Sequence, residues 1–166
     1  MSSLKYTEAT IEDLPEIVEI YNSTVASRMV TADTEPVEVA DKVEWFYKHH
    51  SKRPLWVITN EKGSTVGWVS FQSFYGRPAY YATVEIGIYL ATAQRAKGYG
   101  KLILEHCIRQ APALDIKTLL GFIFSHNEPS IRLFEHFGFE EWATLPNVAI
   151  LDGIEKSLKI LGKRVA

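Results

Sequence analysis

Ile86-Gly87-Ile88-Tyr89-Leu90-Ala91-Thr92-Ala93-Gln94-Arg95-Ala96-Lys97-Gly98-Tyr99-Gly100-Lys101 decides how the chain is read. An apolar strand ends, a polar loop carries two cations, and two glycines open a helix. Gly98 and Gly100 let a ligand approach the backbone closely. Successive N–H groups at a helix start, together with the helix dipole, make an anion site, and Arg95 and Lys97 add formal charge. A diphosphate is the natural guest. The spacing excludes two common nucleotide loops. A Walker loop needs four residues between its glycines, and here only Tyr99 separates them. A Rossmann fingerprint needs a third glycine where Ile103 stands and glycines directly after the strand, whereas Ala91–Lys97 intervenes.

Reading outward, the period of the apolar residues names the flanking elements. Tyr81–Leu90 is the best strand, and a helix is expected over Lys101 to about Ala111, with Leu102, Ile103, His106 and Cys107 on one side. Thr118–Phe124 reads as a buried strand. Pro129–His136 reads as a helix stopped at Gly138, and short strands are expected near Glu141–Leu145 and Ser157–Leu161. Upstream, Leu55–Ile58 and Val66–Phe71 flank Asn60-Glu61-Lys62-Gly63 as an antiparallel hairpin. A strand around Lys5–Glu8 precedes a helix with Ile11, Leu14, Val18 and Tyr21 on one face, capped by Asp13. A second helix is expected to start near Pro36, with Val39, Val43 and Phe46 on its inner face. Between these helices, Ser23–Glu35 is longer than an ordinary connection and hints at a binding loop. Hairpin strands followed by strand–helix–strand–helix–strand make an α/β domain with a partly antiparallel, partly parallel sheet.

The 166 residues are 46% hydrophobic and 23% charged, which suits one globular domain over 1–166, with no repeat or linker. With 18 basic and 20 acidic residues, the net charge of -2 gives no whole-protein footprint for nucleic acid or an anionic membrane. A single cysteine, Cys107, excludes an intramolecular disulfide and a cysteine-cluster zinc site, so no metal is expected. No apolar run approaches a membrane span, and Met1–Glu8 lacks a signal-peptide core, so a cytoplasmic location is expected.

The loop also matches a third pattern, the acyl-CoA pyrophosphate loop Arg/Gln-x-x-Gly-x-Gly/Ala, at Arg95, Gly98 and Gly100, although a plain strand–helix turn would satisfy it too. Downstream stands Asn127-Glu128-Pro129-Ser130-Ile131-Arg132-Leu133-Phe134-Glu135-His136-Phe137-Gly138-Phe139. Both segments, at this separation, resemble the GNAT N-acetyltransferase superfamily over nearly the whole chain. Arg77-Pro78-Ala79-Tyr80 before Thr83-Val84-Glu85 is similar to its phosphinothricin and methionine sulfone/sulfoximine acetyltransferase group. The resemblance implies a mostly antiparallel twisted sheet flanked by helices, with a strand–loop–helix acyl-CoA site and acetyl-CoA as donor. It implies direct attack by the α-amine of a small amino-acid-like acceptor in a ternary complex, and a homodimer. Another amine acceptor (a polyamine, an aminoglycoside or a protein N-terminus) keeps the same chemistry, and a non-catalytic acyl-CoA-binding module is a more distant alternative.

Individual residues carry this reading. Glu85 interrupts an apolar strand, where a carboxylate either meets a cation or has a raised pKa, and the resemblance makes it the base. The resemblance also implies that main-chain groups of Ile88, Tyr89 and Leu90 pair with the pantetheine arm, and that Arg95, Ala96, Lys97, Gly98, Tyr99, Gly100 and Lys101 hold the diphosphate. Asn127 reads as a helix N-cap that can also meet the pantetheine, and Ser130 and His136 are further cofactor candidates. Phe134 departs from relatives that carry Tyr or His there as a donor to the leaving thiolate. Arg77 reads as a fork for the acceptor's acid group, with Tyr80 beside it; a solvated loop arginine is the plainer alternative. Cys107, on the apolar side of its helix, reads as a small buried hydrophobe.

Overall fold

A computed structural model describes residues 3–166. Its strands are β1 (Lys5–Glu8), β2 (Leu55–Thr59), β3 (Thr65–Ser73), β4 (Thr83–Leu90), β5 (Thr118–Phe124), β6 (Glu140–Leu151) and β7 (Ile154–Arg164). They form one open sheet in the order β1-β2-β3-β4-β5-β7-β6. Every neighbouring pair is antiparallel except β4 with β5. That parallel pair registers only Thr83–Glu85 against Thr118–Leu120. From Ile86 onward β4 pairs only with β3, so the sheet splits along its middle.

Four helices cover the sheet: α1 (Leu14–Val25), α2 (Val43–Tyr47), α3 (Tyr99–Gln110) and α4 (Glu128–His136). The period-two alternation of β3 and β4 sends their residues to two cores. Val69, Phe71, Val84 and Ile86 pack with Ile103, Leu104 and Cys107 of α3 and with Ile131 and Phe134 of α4. Trp68 faces the other way, packs with Leu14, Ile17, Val18 and Ile20 of α1, and donates its indole N–H to the Ile17 carbonyl at 3.1 Å.

Several local expectations need correcting. Asp13 does not cap α1; its carboxylate turns back to accept from the Thr10 amide at 2.8 Å, because a 3-10 turn over Ile11–Asp13 precedes the helix. Ile11 is exposed rather than on the inner face, and so is Leu102 of α3. The expected second helix is a 3-10 turn over Val39–Lys42 followed by α2. The tighter turn shifts the phase, so Val39 and Val43 face solvent while Lys42 and Trp45 turn toward the sheet. Helix α3 begins two residues earlier than expected, with Gly98 as its N-cap at φ +81°. Strands β6 and β7 are far longer than expected, because Asp152-Gly153 makes a tight hairpin with both φ positive (53° and 77°).

The start of β4 is fastened by Arg53, which is almost fully buried. Its guanidinium donates to the carbonyls of Lys52, Leu114 and Tyr81, tying β2, β4 and the lead-in to β5 at one point. Among the described residues no helix is long and apolar enough to cross a membrane.

Candidate active site

The face of β3 and β4 under α1 carries Trp68, Ser70 and Gln72 opposite Tyr89, Gly87 and Glu85 respectively. Ile17, Val18 and Tyr21 of α1 close over it, with Lys42 and Trp45, leaving a cavity of about 220 Å³. Tyr89 stacks on Trp68 at 4.4 Å, forming one aromatic wall. The Tyr21 hydroxyl donates to the Asp33 carboxylate and lies against the Thr31 hydroxyl, and burial with the Asp33 contact pushes its pKa up to about 12. The Lys42 ammonium sits 4.9 Å from the centre of the Tyr21 ring and 5.7 Å from that of Trp45. Glu85 lies in the floor, and burial raises its pKa above the ordinary carboxylate value.

A second cavity, of about 170 Å³, occupies the split between β4 and β5. Ile86–Leu90 of β4 and Gly121–Ile123 of β5 line it, with Gly100, Asn127, Ser130, Leu133 and Phe134 and with Val30 of the loop after α1. The two cavities share Gly87 and Tyr89. A Cβ on Gly87 would touch only the Tyr89 ring, at 3.5 Å, so the protein's own packing does not require glycine there.

At the far end of the cleft, Ala96 and Gly98 both have positive φ (61° and 81°), which curls the chain before α3. Among the described residues, none of the amides of Ala96, Lys97 and Gly98 donates to another protein group, and the first amides of α3 have no intrahelical acceptor. Such a curl of N–H groups is an anion cradle. Arg95 does not project freely: it donates to the Leu90 carbonyl (3.3 Å) and the Ser23 hydroxyl (2.9 Å), binding the loop to α1. Lys97 reaches Gln94 Oε1 at 3.3 Å, Tyr99 is half-buried, and Lys101 is exposed. Asn127 is buried; its amide nitrogen donates to the Met29 carbonyl at 3.0 Å while its oxygen accepts from the Ser130 amide at 3.3 Å. It therefore caps α4 and anchors the loop after α1 at once.

Other candidates lie elsewhere. Arg77 is exposed on the loop before β4 and Tyr80 packs against Phe74; neither lines the Glu85 cavity. His136 is exposed at the C-terminal end of α4, outside the cleft. Cys107 is fully buried and burial raises its thiol pKa strongly. Sequence reading missed Tyr21, Lys42, Trp45, Trp68, Ser70 and Gln72. Alternation along Trp68–Gln72 was a usable signal for the last three, as was the helical spacing of Tyr21; Lys42 and Trp45 had none, because the 3-10 turn before α2 sets their phase.

Residues 4–140 match the acetyltransferase (GNAT) domain family. The chain belongs to the GNAT acetyltransferase family. It is 52% identical over 154 residues (93% of this chain, 94% of the relative) to a Bacillus subtilis (strain 168) protein provisionally named phosphinothricin acetyltransferase YwnH. It is 30% identical over 147 residues (88% and 86%) to the L-methionine sulfoximine/L-methionine sulfone acetyltransferase of Pseudomonas paraeruginosa (strain DSM 24068 / PA7). The crystal structure of a GNAT phosphinothricin acetyltransferase from Sinorhizobium meliloti in complex with acetyl-CoA superposes with a TM-score of 0.88 at 26% identity, covering 98% of this chain and 88% of that one. The split seven-stranded sheet is thus the GNAT fold, and the expected superfamily and fold class hold.

In this GNAT acetyltransferase, Glu85 couples charge to stability. Its folded pKa is raised, so as pH climbs past the unfolded value of about 4.3 the unfolded chain releases this proton first and the native state loses stability. Glu85→Gln removes that loss. The variant is expected to melt higher than the original protein at pH 7, with the gap closing below about pH 4, as read by thermal melts across pH. A variant melting lower at pH 7 would show that ionised Glu85 is held by favourable contacts.

Proposed function

We propose that the chain transfers an acetyl group from acetyl-CoA to the α-amine of a small amino-acid-like acceptor by direct attack. The observation that carries this reading is the meeting of two cavities at Gly87 and Tyr89, one floored by Glu85 and the other running toward the curled loop at Gly98. The thioester supplies an electrophilic carbonyl when the pantetheine arm lies between β4 and β5. The unpaired edge of Ile88–Leu90 offers main-chain groups to that arm, and an N–H there polarises the carbonyl. The amides of Ala96–Lys101 receive the diphosphate, and Asn127 and Ser130 flank the arm. Glu85 takes a proton from the acceptor ammonium, and its raised pKa makes it a stronger base than an ordinary carboxylate. Phe134 lines the cleft and has no proton to give. The departing sulfur needs none to leave, since a thiol pKa near 8.5 makes thiolate a good leaving group. Cys107 is buried away from both cavities, which favours direct transfer over an acyl-enzyme.

Charge in the acceptor cavity supports an amino acid over a polyamine. Glu85 and Lys42 line the same cavity, and among the described residues Lys42 has no carboxylate within ion-pair distance. A zwitterion can present its ammonium to Glu85 and its carboxylate to Lys42, whereas a polycation would meet Lys42 as a like charge. Such a reaction belongs to the cytoplasm, where acetyl-CoA is available.

The test is a thiol-release assay with acetyl-CoA against free amino acids, L-methionine sulfoximine, L-methionine sulfone, phosphinothricin and spermidine. Transfer to an amino-acid-type acceptor is expected, with Glu85→Gln slower by about 100- to 10,000-fold and the defect shrinking as pH approaches the amine's own pKa. Turnover of spermidine alone would overturn the reading. Lys42→Met is expected to raise the acceptor KM by about 10- to 100-fold for the free acid while leaving its amide nearly unaffected. The same comparison on Arg77→Ala separates the cavity cation from the loop cation.

The reading includes a homodimer. Val148 and Ile150 of the edge strand β6 expose large apolar side chains, as do Trp142 and Leu145 of β6 and Ile154 of β7, so both faces of this edge carry apolar surface. Such a long apolar edge calls for a cover, and a second copy supplies one of matching character. Sedimentation should give a dimer, and the double change Val148→Lys with Ile150→Lys a folded monomer. A monomeric unmodified chain would remove this part of the proposal.

A further inference from the structure

Ser70 is 4% exposed, lines the acceptor cavity, and stands on β3 opposite Gly87, diagonal to Glu85. Its Oγ lies 2.6 Å from Nε2 of His49, and Nδ1 of His49 lies 3.1 Å from the Phe46 carbonyl oxygen. A carbonyl only accepts, so Nδ1 carries the ring hydrogen. In the neutral imidazole Nε2 is then a bare acceptor, and the Ser70 hydroxyl must donate to it. With its one hydrogen committed, Ser70 Oγ can offer only lone pairs to the cavity.

We propose that Ser70 is a second contact to the acceptor nitrogen, accepting an N–H beside Glu85, and that His49 is the positioning residue that keeps the hydroxyl an acceptor. The proposal rests on the acetyl-transfer reading and adds a specificity device to it. An ammonium has three N–H donors; once Glu85 has taken one proton, a turn about the Cα–N bond that leaves the two remaining N–H groups on Glu85 and Ser70 Oγ aims the lone pair away from both, toward the side of Gly87 and Tyr89 that the second cavity shares. The arrangement also discriminates. A hydroxyl acceptor would accept from an amine or an alcohol, but a nitrogen that still carries hydrogens can satisfy Ser70 and Glu85 together, which an alcohol with its single hydrogen cannot.

The device has a switch. If His49 gains a proton, Nε2–H donates to Ser70, and the serine hydrogen swings toward the cavity, where it opposes the incoming ammonium. Burial lowers the His49 pKa, which keeps the ring neutral at working pH. His50 beside the ring lowers its pKa further, while hydrogen bonding to the Phe46 and Trp45 backbone opposes the shift; the other charged groups facing it are Lys48 and Arg53 along the groove on its outer side, Glu8 across a second opening, and Lys42 and Glu85 across the acceptor cavity.

The test uses the full chain with acetyl-CoA and L-methionine sulfoximine, and the expected result has three parts. Ser70→Ala raises the acceptor KM by about 10- to 100-fold and leaves the acetyl-CoA KM unchanged, because one hydrogen bond to a charged group is lost. His49→Phe, which frees the serine hydrogen, does the same, while Ser70→Thr retains most of the affinity. The acid limb of kcat/KM contains a His49 titration that disappears in Ser70→Ala and leaves only the Glu85 limb. Unchanged acceptor KM and pH profile in an active Ser70→Ala enzyme overturn the proposal without touching the acetyl-transfer reading. If the original enzyme transfers nothing to any amino-acid acceptor, the reading fails instead. Imidazole ¹⁵N spectra, which need no turnover, then still decide the device: His49 must be the Nδ1–H form at pH 7, and the Nε2–H form overturns it.

Discussion

The parting of β4 from β5 is the constraint on which the rest of this protein depends. Parallel pairing stops at Glu85 and Leu120, after only three residue pairs, although both strands continue. A continuous sheet would leave no cleft and would bury the free edge of β4 in hydrogen bonds to its neighbour. Phe134 of α4 packs against Gly121, where a Cβ would come within 2.7 Å of the ring, so glycine lets the aromatic ring press directly onto β5. Ile86 and Phe134 both belong to the core and both line the cleft, which makes the floor of the opening as rigid as the interior.

Because the split begins just after Glu85, one strand serves both cavities. Residues before the split hold the sheet together, Glu85 stands at the fork, and Gly87 and Tyr89 beyond it face the acceptor side while the strand's free edge faces the cleft. The burial that holds the strand also lifts the Glu85 pKa, so stability and proton affinity are set by the same packing. Arg53 secures the base of this strand by satisfying three backbone carbonyls from three segments. A buried guanidinium in that role locks geometry through hydrogen bonds rather than through an ion pair.

The local devices that the sequence shows plainly are those whose cause is local. The loop glycines, the Asn127 cap and the Gly138 stop depend on neighbours a few residues away, and all stand where reading places them. Elements governed by competing short-range choices were harder. The 3-10 turn at Val39–Lys42 changed the phase of the next helix and so exchanged Val39 and Val43 for Lys42 and Trp45 at the cavity. The Asp152-Gly153 pair is a hairpin signal that the reading passed over, and the bulges that let β6 run past Pro146 left no local signal.

Sequence by itself determined the family, the fold class, the glycine-bearing turn into α3 and the strand carrying Glu85, because each is written as a pattern of residue type at short spacing. Only the tertiary structure decided which distant side chains meet. The Ser70–His49 contact spans 21 positions and the cavity draws on α1, α2, β3 and β4 together. It also left Arg77 in solvent and brought Lys42 to the cavity that holds Glu85. The physical reason is that a side chain's chemistry is local, whereas its partners are chosen by how elements pack, and small changes of helical phase alter that choice without altering the pattern that announces the fold.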